Sequence, residues 1–527
     1  MIQKIVYSCV AVIVLMLAAC QEEEEKRFMP YDELSAQFYL KESVEYSDWY
    51  KLLHLVGMEE SFNFASVPLT CFVVRNEVLA AYLQTKGYES VEKMVESDPE
   101  FAKRFIRYHT VVARSYELAD FRNGKLRDST ASGDYLVCRF ADGVNGGVYI
   151  NHICKIVRWD IKVANGYIHE LNQVIDPVVE TLHTFLTNNA RYSIFAQAVA
   201  LTGNEEIFSR MDIEHPKMRS RRTLFVTPDT IYQENGVNGI EELQARISPG
   251  RTDFTDPGNP LNLYVRYHLV ERDYSSSELG ELFDVQTKFI DKTQGYTMPT
   301  LAENKLLLIQ PDGVAFLFNK HARLTDRHNI QLRNGFAHEI DGLLEIYEPE
   351  SILTAVDATE AMGFWAIGDY QNPSINRFMQ PVSAQDMAPA VTWITTPPNK
   401  VNPVGYICFT LGSYNRKSNY LHGDFLWADL GPVGEITLLT RPIPRGTYKV
   451  TVNARQIKQE GGTFQPYIDG VKTEGILNIY NPNYDNDVTN EITARVAFET
   501  TRAHRITFKT TKVGQFELDA LIFTPIN

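Results

Sequence analysis

Two periods of hydrophobicity run through this chain, and they divide it. Up to about residue 350, short apolar runs such as "TCFVV" (Thr70–Val74) and "TLFV" (Thr223–Val226) give way to helical spacing, as in Phe101, Phe105 and Tyr108. Beyond about residue 361 apolar and polar positions alternate, as in Tyr448, Val450 and Val452, which suits half-buried antiparallel strands. Helix starts are also written in the chain. Ser90 is placed to cap one helix, and Asp98 followed by Pro99 to cap the next. Asn76 and Asp229 stand where an apolar strand passes into a helical pattern, so each is expected to cap its own helix.

The first pattern occurs twice. "ANGYIHELNQVIDP" (Ala164–Pro177) returns as "RNGFAHEIDGLLEIYEP" (Arg333–Pro349). Upstream, Phe72 matches Phe225, and the Tyr108-His109 pair matches Tyr267-His268. Asn165-Gly166 and Asn334-Gly335 offer a tight turn into each last strand. The offset between copies widens toward the C-terminus, so the second carries extra loop, with "SPGRTDFTDPGNP" (Ser248–Pro260) the clearest insertion. A repeat this long reads as two copies of one domain, because solenoid periods are far shorter.

Taken in order, the strand ending in Phe-Val, the Tyr-His and the late Asn-Gly-x-x-His resemble the fasciclin domain. The departures are local: Val73-Val74-Arg75 replaces the family's usual Ala-Pro-Thr, and Asn172 stands where Asp341 keeps the family's Asp. The resemblance implies a compact α/β domain, with a β-sandwich-like core against helices, used for adhesion or ligand binding rather than catalysis. The expected organisation is two fasciclin-like α/β domains, at 31–180 and 181–350, followed by an antiparallel, jelly-roll-like β-sandwich at 361–527.

The histidines of the repeat are expected to be structural. On alternating strands His169 shares a face with Tyr167 and Leu171, and His338 with Phe336 and Ile340. An imidazole on such a face is expected to be neutral, buried and hydrogen-bonded, and the same reading applies to His109 and His268. No nucleophile–base pattern, H-E-x-x-H, phosphate loop or dinucleotide glycine motif occurs. The chain is therefore read as a non-enzyme. A glycan-active enzyme would require a carboxylate pair, which leaves no spacing signature.

Composition adds an address and removes a class of partner. The 527 residues carry a net charge of −15 without basic runs, which argues against nucleic acid as a partner. The first twenty residues, ending "LMLAAC", have the form of a secretory signal over 1–19. They resemble a bacterial lipobox, which implies cleavage before Cys20 and a lipid on Cys20. The spacer over 20–30 contains "QEEEEKR" (Gln21–Arg27), which resembles the acidic export tag of surface-exposed lipoproteins. An outer-membrane lipoprotein facing outward is the expected localisation. Cys71, Cys138, Cys154 and Cys408 remain, with no metal spacing; a Cys138–Cys154 bridge is left open.

The last third resembles carbohydrate-binding and galactose-binding-like modules in three places: Gly446-Thr447-Tyr448 opening a strand, "YIDG" (Tyr467–Gly470) closing a hairpin, and the terminal "LDALIFTP". Glycan binding needs presented rings, so Trp365, Trp393 and Trp427 are the candidate platforms, although a single Trp is more often core. Asn483, Asp485 and Asp487 recur at two-residue intervals, a spacing that can converge on a structural Ca²⁺. The stretch lacks an EF-hand's Gly and final Glu, which favours an acidic surface loop; no other cofactor is expected. The functional expectation is glycan or matrix capture, with an outer-membrane uptake system as a potential associate. The alternative is a structural adhesin or envelope scaffold that binds protein.

Overall fold

The computed structural model describes residues 33–526, apart from 65, 113, 123, 127, 142–145, 152, 211–220, 285–293, 314, 359–379, 383–390, 395–404, 410–423 and 485. Cys20, the acidic run after it, Trp365 and Asp485 lie outside the described residues. The chain forms two compact units. The first comprises the chain up to Arg122 with 128–132 and 138–175; the second takes 123–127, 133–137 and everything from Asp176 onward.

In the first unit the strand Leu69–Val73 lies between two partners. It pairs antiparallel with Thr110–Val112 and parallel with Gly166–Leu171. The latter pairs antiparallel with Cys154–Val163, across two register shifts. Leu69–Val73 is buried at every position, as a central strand covered on both faces should be. Helices cover one face: Trp49, fully buried on Ser47–Leu55, meets Phe105 and His109 at ring separations of 5.5 and 5.0 Å. Ser90 accepts from the Lys93 N–H and Asp98 from the Phe101 N–H, so these helices start at those residues.

Asn76 and Asp229 act differently from the sequence expectation. Each is the first residue of its own helix and caps an earlier one. Asn76 Oδ1 accepts from the Asp48 N–H at 3.0 Å, at the start of Ser47–Leu55. Asp229 accepts from the Ser193 and Ile194 N–H groups at 3.1 and 3.0 Å, at the start of Ser193–Leu201. Each side chain therefore ties a helix start to the end of the central strand.

The second unit contains two architectures. Its first part repeats the arrangement just described: Arg222–Val226 pairs antiparallel with Leu269–Glu271 and parallel with Gly335–Glu339. A separate antiparallel sheet runs through Tyr296–Pro299, Leu306–Asp312, Ala315–Phe318 and Ala322–Arg323. This unit also holds a buried charge cluster. Lys125 Nζ lies 2.9 Å from Glu278 and 3.4 Å from Asp273, whose other oxygen accepts from Arg221 Nε at 2.6 Å. The Tyr135 ring lies under both cations, at 4.8 Å from Lys125 and 5.6 Å from Arg221. Segments 123–127 and 133–137, which the sequence reading places in 31–180, are thus built into the second unit. Such a cluster holds because each buried charge has an opposite partner; removing one would strand another.

Among the described residues the remaining strands form a largely antiparallel sandwich, with a short parallel pairing of 457–458 with 480–481 and a parallel bridge between Gly461 and Gln515. Its sheets begin earlier than residue 361: Thr354–Asp357 pairs with Ala520–Pro525, and Val356 lies in the sandwich core. Ala520–Pro525 and Asn486–Phe498 flank the long strand Gly446–Lys458. Tyr448, Val450, Val452 and Ala454 point into a core shared with Phe464, Ile506, Phe508 and Phe516. Among the described residues no helix is long and apolar enough to cross a membrane.

Candidate functional site

The repeated phrase builds the same joint twice. His169 lies opposite Phe72 across the parallel strands, and His338 opposite Phe225. The rings stack at 5.7 and 5.6 Å. His169 Nδ1 faces the Asp160 N–H at 3.3 Å and His338 Nδ1 the Asn329 N–H at 3.2 Å, so both must be acceptors there. The proton then sits on Nε2, which donates to the Tyr116 carbonyl at 2.9 Å and the Tyr274 carbonyl at 2.8 Å. Asp160 and Asn329 both take left-handed backbone, with φ of 54° and 56°. Burial holds both imidazoles below their ordinary pKa, His338 at about 4. Both rings are neutral at pH 7, and each spends both nitrogens within the fold.

The other singled-out residues have comparable duties. Asn165 donates to the Phe62 carbonyl at 2.8 Å and accepts from the Ala36 N–H at 2.9 Å; Asn334 donates to the Phe208 carbonyl and accepts from the Leu182 N–H, both at 2.8 Å. The glycines after them allow close backbone approach. A Cβ at Gly166 would lie 1.9 Å from the Leu69 carbonyl oxygen, and one at Gly335 1.8 Å from that of Arg222. Tyr108 accepts from Asn151 at 3.1 Å, and Tyr267 donates to the Leu306 carbonyl at 2.8 Å. His109 donates from Nδ1 to the Phe105 carbonyl at 2.8 Å and accepts at Nε2 from the Ile175 N–H at 3.1 Å. His268 makes the first bond, to the Tyr264 carbonyl at 2.9 Å, while its buried Nε2 has no partner among the described residues.

The residue after each strand histidine was missed from the sequence. Glu170 and Glu339 are buried carboxylates. Glu170 accepts from the Tyr46 hydroxyl at 2.6 Å and Arg75 Nε at 2.9 Å; Glu339 accepts from the Tyr192 hydroxyl at 2.8 Å and from Arg191. Burial alone would raise the Glu339 pKa, but Arg191, Tyr192 and Thr325 outweigh it and hold the carboxyl below its usual range. The signal was present, since both phrases read His-Glu, but a Glu in a strand ordinarily points to solvent.

The C-terminal sandwich carries a groove of about 380 Å³. Its wall forms at the hairpin tip Asp469-Gly470, both in left-handed backbone. Asp469 accepts from Arg502 Nη2 and His504 Nδ1, each at 2.7 Å, and from the Arg505 N–H at 2.9 Å. Burial favours the neutral carboxyl, but these donors prevail and its pKa falls. Burial also lowers the His504 pKa, against the pull of Asp469. The neutral His504 ring stacks on Phe498 at 3.6 Å, leaving its Nε2 buried without a partner among the described residues. An Asp–His pair could orient a base, but its outer nitrogen is buried; the hydroxyls in the lining are those of Thr473, Thr493 and Thr500. Lys472, Glu474 and Arg495 stand around an apolar floor of Ile468, Val496 and Phe498. That combination suits a polar ligand with an apolar face.

Among the described residues, the tryptophan candidates Trp393 and Trp427 stand on different sheets. Trp427 is 7% exposed, and its Nε1–H donates to Gln515 at 3.0 Å, so its ring is core rather than a platform. Trp393 is half-buried against the sandwich core on a different strand. The Asn483 N–H is turned onto Asn481 Oδ1, while Asp485 and the Asp487 side chain lie outside the described residues. No group of three His, Cys, Asp or Glu able to hold a metal occurs among the described residues. Cys71, Cys138 and Cys154 are buried free thiols, so Cys138 and Cys154 are not bridged; burial pushes Cys71 and Cys138 up to about 12.

Residues 44–177 match the family model described as the fasciclin domain. Among solved structures the chain is similar to a FAS1 domain pair from the insect cell adhesion molecule fasciclin I, at 14% identity, covering 57% of this chain and 96% of that one, with a TM-score of 0.27. It is also similar to the C-terminal CBM6 of LamC, a marine laminarinase from Zobellia galactanivorans, at 10% identity over 33% of this chain and 98% of that one, TM-score 0.17. A family 35 carbohydrate binding module from an environmental isolate matches at 10% identity over 23% of this chain and 85% of that one, TM-score 0.17. No curated protein matches the chain.

The bonding of His338 makes its role testable. His338→Ala leaves the buried Tyr274 carbonyl and the half-buried Asn329 N–H unpaired, at about 1–3 kcal/mol, plus the cost of a ring-sized void. Calorimetry should show a lower melting transition for the second unit, with binding by the folded protein unchanged. A wild-type melt accompanied by lost binding would contradict the structural role.

Proposed function

We propose that this chain is a lipid-anchored surface protein whose fasciclin-like repeats form a rigid scaffold and whose C-terminal sandwich binds glycan. The groove beside Asp469 carries this reading. There exposed hydrogen-bonding side chains, Lys472, Glu474 and Arg495, surround the apolar atoms of Ile468, Val496 and Phe498. Sugars present hydroxyls at their edges and C–H groups on their faces, and need both kinds of surface. The fasciclin match over 44–177 supports adhesion or ligand binding as the general role. The histidines of the repeats support the same view, because their nitrogens serve backbone groups rather than a reacting atom.

The anchor is part of the proposal. Cys20 follows an apolar signal and precedes an acidic spacer, the order expected of an exported lipoprotein. Cys20→Ala is expected to move the protein from the membrane fraction to the soluble one; retention on membranes would sink the anchor.

The binding role can be measured with the unlipidated chain beginning at Gln21 on a broad glycan array. Binding that weakens about ten-fold or more in Lys472→Ala/Arg495→Ala, with the fold intact, is the expected result. Silence across the array, or binding indifferent to these substitutions, would remove the glycan reading and favour a protein-binding adhesin.

A further inference from the structure

The most exposed tryptophan among the described residues is one the sequence reading left aside. Trp159 is 44% exposed and sits on the long strand Cys154–Val163 of the first unit. Four consecutive residues, Val157 to Asp160, are exposed there, beside two register shifts in the pairing with Gly166–Leu171. Val157 is 50% exposed, and Ile153, in the turn before the strand, 61%. The strand's other partner, Gly147–Ile150, pairs with it only at Cys154 and Lys155. Exposed apolar side chains gathered on one strand mark a surface available for contact.

Charge accompanies the apolar exposure. From Ile153 to Lys162 the chain carries Lys155, Arg158 and Lys162 against a single acid, Asp160, in a protein whose net charge is −15. Asp160 spends one oxygen on the Leu118 N–H, Oδ1 accepting at 2.8 Å. Arg158 is partly offset by Glu45 at 3.8 Å, and Lys162 by Glu33 at 3.0 Å. Across the neighbouring strands Arg139, Tyr149 and Lys155 stand in register, with both cations over the Tyr149 ring at 4.9 and 5.9 Å. Tryptophan beside aliphatic and basic side chains is the combination that favours a membrane–water interface.

We propose that this strand face docks on the anionic headgroups of the bilayer that holds the Cys20 lipid. The position of the chain end favours that occupant. Glu33 pairs with Lys162 on this same strand, and twelve residues, 21–32, separate it from Cys20. Twelve residues reach at most roughly 40 Å, while a strand of this length spans roughly 30 Å. The anchor can therefore hold any part of the face against the membrane. This assignment rests on the lipid anchor for its orientation, but the attraction belongs to the folded surface itself.

The test uses the unlipidated chain from Gln21 in flotation assays. One vesicle population is phosphatidylethanolamine with phosphatidylglycerol; the other is phosphatidylcholine alone. The chain should float with the anionic vesicles at low salt and not with the neutral ones. Arg139→Glu/Lys155→Glu should weaken that association by about ten-fold or more, and Trp159→Ala should weaken it without altering the melting curve. Absence of flotation with anionic vesicles, or flotation equal in all variants, would overturn the proposal. Because the probe has no lipid, failure here leaves the anchor untouched, and failure of the anchor is read separately from Cys20→Ala.

Discussion

Each repeat depends on closing one parallel strand pair whose members are far apart in sequence. Leu69–Val73 meets Gly166–Leu171, and Arg222–Val226 meets Gly335–Glu339. Closing a loop of that length costs entropy before any contact repays it. The imidazole at the centre of the pair joins three segments at once: it stacks on the first strand, accepts from a left-handed residue outside the pair and donates to a carbonyl after the short antiparallel strand. A purely apolar side chain there would leave that C=O buried and unpaired and that N–H without its acceptor. The chain repeats the phrase because the joint recurs, and the joint is carpentry.

Around this bridge the neighbouring letters each remove a particular obstacle. The Asn side chain turns a helix start and a helix end toward the strand pair. The Gly lets two backbones approach where a Cβ would collide with a carbonyl. The Glu is held inside by an Arg and a Tyr hydroxyl that reach it. Polar groups so placed rigidify only when fully satisfied. The copies differ at His268, whose Nε2 has no partner among the described residues, whereas that of its counterpart His109 accepts from the Ile175 N–H.

Periodicity made the division into an α/β region and an antiparallel sandwich legible, and order alone made the repeat legible. Local caps at Ser90 and Asp98 could be read because donor and acceptor are three residues apart. Asn76 and Asp229 could not, because their recipients lie 28 and 36 residues upstream and only the fold brings them close. The placement of Trp427 was illegible for a similar reason. Strand alternation at Trp427 does not say which face meets the core, and the bulges that expose Trp159 leave no mark in composition. The groove was half legible: the hairpin at Tyr467–Gly470 was visible, but its partners Phe498, Arg502 and His504 arrive from the other side of a turn.

The central claim, that the strand histidines are locked neutral bridges, can be measured without altering them. Nitrogen-15 shifts of the imidazoles, followed by long-range correlation NMR from pH 8 toward pH 5, report tautomer and protonation ring by ring. The account predicts that His169 and His338 hold the Nε2–H tautomer, and that His338, with a pKa of about 4, stays neutral as solvent-exposed imidazoles titrate near their usual value of about 6.5. Titration of His338 near pH 6.5, or an Nδ1–H tautomer in either ring, would contradict it.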